Sequence, residues 1–204
     1  LSLDGENVVV LDDKEVVARF PLHNLDGIVT FGYTGASPAL MGACAKRNVS
    51  LCFLSQGGKF QARVVGDVYG NVLLRKQQYR LSDSLSDSNN IARNFITGKV
   101  YNSKWVIERA IRDYPMTVDT EKLKANSRFL SNSLRQLKDV VDLEQMRGVE
   151  GEAASVYFSV FDNLILQQKD DFFFRTRNRR PPTDNVNAML SFAYVLLANM
   201  CSSA

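Results

Sequence analysis

The sequence predicts an α+β chain, with a small, mostly antiparallel N-terminal β-sheet domain over residues 1–72 and a larger all-α domain over residues 73–204. Three observations predict it. Up to residue 72, short runs of β-branched and aromatic residues alternate with turn signals. From residue 73 onward, apolar residues recur at three- and four-residue intervals. The strands precede the helices instead of alternating with them, which argues for segregated layers and against a parallel α/β sheet.

Asn7-Val8-Val9-Val10-Leu11 and Glu15-Val16-Val17-Ala18-Arg19-Phe20 flank Asp12-Asp13-Lys14, a hairpin signature. Gly27-Ile28-Val29-Thr30-Phe31 and Val49-Ser50-Leu51-Cys52-Phe53-Leu54 predict two more strands, and Pro38 to Lys46 between them predicts a short helix. Ser37 is its N-cap and Pro38 its first helical residue, where the missing N–H costs nothing. Gln56-Gly57-Gly58-Lys59 is a turn, followed by the alternating Phe60-Gln61-Ala62-Arg63-Val64-Val65. Helices are predicted over 73–82, 86–114, 119–145, 147–169 and 184–201. Tyr114-Pro115 ends the second, and Asp119-Thr120 and Thr183-Asp184 serve as helix starts.

Apolar residues make up 45% of the chain and charged residues 23%, an ordinary soluble globular composition. No apolar run reaches the ~18 to 20 residues of a membrane-spanning helix. Leu1 to Glu6 carry no basic region and no cleavage site, so no secretory leader is expected. The chain enters on strand-like sequence without a Met and stops inside a helical pattern, so it is expected to be part of something longer. Cys44, Cys52 and Cys201 are odd in number and follow no paired spacing, which fits a reducing cytosol, with the first two expected in the core. His23, the lone histidine, follows Pro21-Leu22 in a turn-like stretch and suits a surface or capping role. A zinc site has almost nothing to draw on.

Charge is unevenly spread. Residues 1–90 hold nine basic and nine acidic residues, whereas 91–204 hold sixteen and thirteen, so the net +3 lies wholly in the helical half. Arg175, Arg177, Arg179 and Arg180 fall within six positions. Guanidinium forks match phosphate oxygens, although such a run also suits a plain solvated face. Asp171-Phe172-Phe173-Phe174 precedes them and Pro181-Pro182 follows. The aromatics either stack on bases or form core, and a loop anchored by Phe would present its arginines well.

Glu150, in Arg147-Gly148-Val149-Glu150-Gly151, is the most informative carboxylate. At ~100° per residue, Ala154, Tyr157, Phe161 and Ile165 fall within roughly 60° of it, so it caps an apolar stripe. A bare carboxylate there needs a partner or a metal. Gly151 costs about 1 kcal/mol against Ala in a helix and would admit a close approach. The alternative is an N-terminal-turn residue favoured by the helix dipole and paired with Arg147.

Arg147-Gly148-Val149-Glu150-Gly151, then Ala154 and Tyr157-Phe158, are followed by Arg177-x-Arg179-Arg180-Pro181-Pro182-x-Asp184-x-x-Asn187-Ala188-x-Leu190-Ser191-Phe192-x-Tyr194-x-Leu196-Leu197. This ordered string resembles the CRISPR-associated spacer-acquisition integrases, the Cas-one family. Ile28-Val29-x-Phe31-Gly32, Gly58-x-Phe60-x-Ala62-Arg63 and Ile91-Ala92-Arg93-x-Phe95-Ile96-x-Gly98-Lys99-Val100-x-Asn102 extend the resemblance across the chain.

The resemblance implies a sheet domain followed by a helical catalytic domain, in the cytoplasm of a prokaryote. It implies a metal-dependent DNA endonuclease and integrase that inserts foreign DNA into a CRISPR repeat array by transesterification. It also implies a homodimer that joins a small partner, Cas-two, and acts on double-stranded and branched DNA. Glu150 matches the glutamate of the family's Mg²⁺ or Mn²⁺ site and is the implied catalytic residue. The accompanying His and Asp ligands are expected beyond residue 204, so the chain as written is expected to be inactive. Arg147 and Tyr194 match basic and aromatic positions lining that site. With Arg175, Arg177, Arg179 and Arg180 they are the DNA-binding candidates. A non-catalytic DNA-binding scaffold subunit, or a purely structural interaction domain, is the alternative on residue chemistry alone.

Overall fold

A computed structural model describes residues 1–67 and 70–203. They form two compact units, Leu1–Gly70 with Phe192–Ala204, and Asn71–Ser191.

The first unit holds two three-stranded sheets. Strands β1 (Ser2–Asp4), β2 (Asn7–Asp12) and β3 (Glu15–Pro21) form an antiparallel meander. Asp13 and Lys14 turn the β2–β3 hairpin at φ 43° and 74°, the left-handed pair of a two-residue hairpin loop. In the second sheet, β4 (Gly27–Phe31) runs parallel to β5 (Ser50–Leu54), and β6 (Phe60–Val64) runs antiparallel to β5. The parallel pair is the exception among the four strand pairings. Helix α1 (Pro38–Arg47) lies between β4 and β5 and returns the chain in the same direction, as a parallel pair requires. The sheets stay mostly antiparallel, as expected. Ser37 Oγ accepts from Leu40 N at 3.3 Å and caps α1. Val8, Leu22, Leu40, Cys44, Val49 and Leu51 form the core. Cys44 and Cys52 are fully buried, and His23 is exposed in a single 3₁₀ turn.

The second unit is built on α2 (Val72–Asp83), α3 (Leu85–Asp113), α4 (Thr120–Asp139) and α5 (Leu143–Ser159). α2 buries no side chain. Ile96, Val100 and Ile107 of α3 pack with Leu123, Leu130 and Leu137 of α4 and with Met146, Val149 and Ala153 of α5. Two predicted helices have different bounds. The expected 119–145 helix ends at Asp139, because Asp142 accepts from Gln145 N at 3.1 Å and starts a new helix there. Arg93 and Asn89 on α3 donate to the Val140 and Val141 carbonyls at 2.8 and 2.6 Å, satisfying groups that the break exposes. The expected 147–169 helix stops at Ser159 and gives way to a 3₁₀ turn over Phe161–Leu164. Its apolar period continues past that point, but those residues pack as an aromatic cluster.

Helix α6 (Asn185–Ser203) begins in the second unit and ends in the first. Within the first unit the Phe192 ring lies 5.5 Å from that of Phe31. Arg63 of β6 donates to the carbonyls of Asn199 and Ser202, capping the helix end. Among the described residues no helix is long and apolar enough to cross a membrane.

Candidate functional site

Helix α5 carries Glu150 at its eighth residue, well inside the helix and not in the first turn. The buried stripe of α5 is Met146, Val149 and Ala153, so Glu150 stands at its edge instead of capping it, with about 35% of its side chain exposed. Its Oε1 is paired with the ammonium of Lys99 on α3, half exposed itself. Arg147 does not pair with Glu150. It reaches back one turn to Glu144 Oε1 at 2.7 Å, on the solvent side of the helix. The position Lys99 occupies could not be read from spacing, since it lies 51 residues from Glu150 on another helix.

Three exposed glycines stand near the pair in sequence. Gly98 precedes Lys99, and Gly148 and Gly151 flank Glu150; a Cβ added at any of them meets nothing within 4 Å. Glycine in a helix interior is disfavoured, and these three gain no internal packing in return. A divalent cation needs several oxygen or nitrogen ligands. Among the described residues no three His, Cys, Asp or Glu side chains converge. Glu150 with its lysine therefore does not fit a metal ion by itself.

The second constellation is the segment between Val160 and α6. Phe174 is buried against Phe158 and Phe161, with its ring 5.6 Å from Phe158 in a stacked pair and 5.0 Å from Phe161. Its N–H donates to Asp162 Oδ1 at 2.8 Å, while Lys169 pairs with Asp162 Oδ2 at 3.0 Å. Phe173 is partly exposed and lies under the Arg175 guanidinium, 5.4 Å from ring centre to carbon. Phe174 is therefore core, as one reading expected, while Phe173 stays exposed beneath Arg175.

The four clustered arginines separate into two kinds. Arg175, Arg179 and Arg180 are exposed. Arg177 turns inward: Nη1 donates to Asn187 Oδ1 at 2.8 Å and Nη2 to Ser191 Oγ at 3.3 Å. Asn187 is fully buried at the start of α6. Asp184 caps that helix, accepting from Asn187 N at 2.7 Å. Burial alone would raise the Asp184 carboxyl, but bonds from the Asn187 side chain and N–H, the Asn178 amide and Val186 N–H hold it below the ordinary carboxylate range. The Arg180–Pro181 peptide bond is cis. Tyr194 lies half exposed on the part of α6 that belongs to the first unit.

Residues 1–204 match the family model described as CRISPR associated protein Cas1. The chain is 44% identical over 204 residues to a CRISPR-associated endonuclease Cas1 of Chlorobaculum tepidum. It spans all of its own length but only 60% of that relative's. Among solved structures, a casposase bound to integration product superposes with TM-score 0.73 at 24% identity, covering 98% of this chain and 56% of that one. A Cas6-RT-Cas1–Cas2 complex superposes with TM-score 0.68 at 19% identity, covering 98% of this chain and 21% of that one.

Proposed function

Because the chain belongs to the CRISPR associated protein Cas1 family, we propose that the full-length protein is a DNA endonuclease and integrase that inserts fragments of foreign DNA into a CRISPR repeat array. The observation that carries the reading is a mid-helix carboxylate, Glu150, part-exposed and followed by Gly151, where a Cβ would meet nothing within 4 Å. The exposed Arg175, Arg179 and Arg180 supply the phosphate-binding chemistry. The reaction is a transesterification. A 3′-hydroxyl of the incoming strand gives up its proton as its oxygen bonds to a backbone phosphorus, the phosphorus–oxygen bond to the leaving 3′-oxygen breaks, and that oxygen takes up a proton. Water in place of the hydroxyl gives endonuclease cleavage.

In this chain Lys99 neutralises Glu150, so the pair presents a carboxylate and an ammonium to an approaching phosphodiester. The ammonium suits a phosphate oxygen, and the guanidinium forks of the basic loop hold the flanking backbone without reading its sequence. Dependence on Mg²⁺ or Mn²⁺ is part of the proposal, with Glu150 one ligand of several and the remaining ligands supplied from outside the described residues. Double-stranded and branched DNA, a second copy of the chain and a Cas2-like protein are the proposed partners, in the cytoplasm of a prokaryote. The Cas2 proposal draws on the Cas6-RT-Cas1–Cas2 complex among the structural matches.

The test uses full-length protein on branched and duplex DNA with Mn²⁺ or Mg²⁺, with binding recorded in parallel. Glu150→Gln is expected to lower strand transfer and cleavage at least about 100-fold while DNA affinity stays within a few-fold. The scaffold reading, favoured by the Lys99 pairing, predicts instead that wild type and variant bind equally and neither reacts.

A further inference from the structure

The four arginines of the basic loop do not do the same work, and the residue that divides them is Asn187. Its side chain is fully buried and uses the whole capacity of a carboxamide. Oδ1 accepts from Arg177 Nη1 at 2.8 Å and from Asn178 N at 3.1 Å. Nδ2 donates to Thr176 O at 2.9 Å and to Asp184 Oδ2 at 2.7 Å. An ordinary helix cap needs only the bond between a backbone N–H and the capping carboxylate, which Asp184 already provides. The other contacts of the amide reach 9 to 11 residues back, out of the helix and into the loop.

The loop has no regular structure of its own to hold it. Phe174 and Asp162 anchor its entry, but Arg175, Thr176 and residues 179–183 are exposed and form neither helix nor strand. Across it, Asn178 Oδ1 accepts from Thr183 N at 2.8 Å, so the loop is braced from within by one amide and from beneath by another. A buried amide with all of its hydrogen-bonding capacity used, as Asn187 has, favours one conformation of the groups it bonds.

We propose that Asn187 is the positioning residue of the basic loop: it holds Thr176, Arg177 and Asn178 so that Arg175, Arg179 and Arg180 meet a DNA backbone as a preformed set, with Arg177 an internal strut and not a phosphate ligand. This rests on the DNA-binding role proposed for the loop. A preformed loop loses less conformational entropy on binding, so its affinity is higher than that of the same charges on a loose segment.

The experiment compares full-length wild type, Asn187→Ala, Asn178→Ala, the triple variant R175Q/R179Q/R180Q, and that triple combined with Asn187→Ala. Circular dichroism checks the fold of each. DNA affinity is measured by fluorescence anisotropy on a branched duplex, and loop order by trypsin cleavage after Arg175, Arg177 and Arg179 without DNA. Asn187→Ala is expected to weaken binding about tenfold and to speed cleavage in the loop by a similar factor. In the triple-glutamine background it should change affinity by less than about twofold, because there is no charge left to position. Asn178→Ala, which leaves the buried amide in place, should act in the same direction and more weakly, and it stands in if Asn187→Ala does not fold. Equal affinity losses in both backgrounds, or unchanged loop cleavage in both Asn variants, would overturn the proposal. If the triple variant binds DNA as well as wild type, the DNA-binding reading itself fails. If the triple variant loses affinity and neither Asn variant does, only the positioning role fails.

Discussion

Glu150 shows how much one side chain can and cannot announce. Its oddity was legible, because a glutamate beside two glycines and an apolar stripe violates helix patterning. Its partner was not: Arg147 sits at the favourable helical spacing yet pairs with Glu144, while Lys99 arrives from another helix through tertiary packing. Gly151 makes the same point testable. It is exposed, it lies inside α5, and a Cβ placed on it meets nothing. Gly151→Ala should therefore stabilise the protein by about 1 kcal/mol, read as a higher urea midpoint at unchanged slope. If the glycine is kept for close approach of DNA to Glu150, the same variant should lose strand transfer while gaining stability. A lower midpoint would show that the chain itself requires the glycine and that the open surface has another cause.

At the scale of elements, the segment from Val160 to α6 is held by two carboxylates, and both leave a pH signature. Burial alone would raise the Asp162 carboxyl, but the Phe174 N–H and the Lys169 ammonium outweigh it and bring it below the ordinary range. Asp184 is lowered in the same sense by its bonds from Asn187, Asn178 and Val186. A carboxyl depressed in the folded state stabilises fully above its unfolded pKa of about 3.9, and that contribution disappears as pH falls through the depressed value. Each is worth under about 1 kcal/mol because both face solvent in part. Thermal melts between about pH 6 and pH 3 should fall more steeply for wild type than for Asp162→Asn, and parallel profiles would reject the assignment. Helix ends are where sequence reading was least accurate. Helix starts at Ser37, Asp119 and Asp184 carry their own capping chemistry and were legible. The stop at Ser159 has no glycine or proline, so local pattern could not place it, whereas the break at Val140–Asp142 carries a local signal, the Asp142 cap on Gln145 N, that the periodicity masked. The exposed arginines were legible as a cluster, but the inward turn of Arg177 depends on a buried amide ten positions away.

For the whole molecule, the order of strands then helices was readable because the hydrophobic period changes once, near residue 73. What periodicity could not report is that one helix serves two packing units. Residues 192–203 group with the sheets, where Phe192 meets Phe31, Val195 lies 3.5 Å from the site of a Cβ on Gly58, and Asn199 Oδ1 accepts from the Cys52 thiol at 3.0 Å. Arg63 reaches the carbonyls at the helix end. Removing everything after Ser191 should therefore weaken the second sheet selectively. Amides of β4, β5 and β6 should exchange at least about tenfold faster, while those of α3, α4 and α5, whose core lies within the other unit, keep their protection. Equal loss of protection in both sets would mean that the two units unfold as one. Unchanged exchange in β4–β6 would mean that the sheet does not depend on the helix for its stability, and that Arg63, exposed by the cut, is satisfied by water instead.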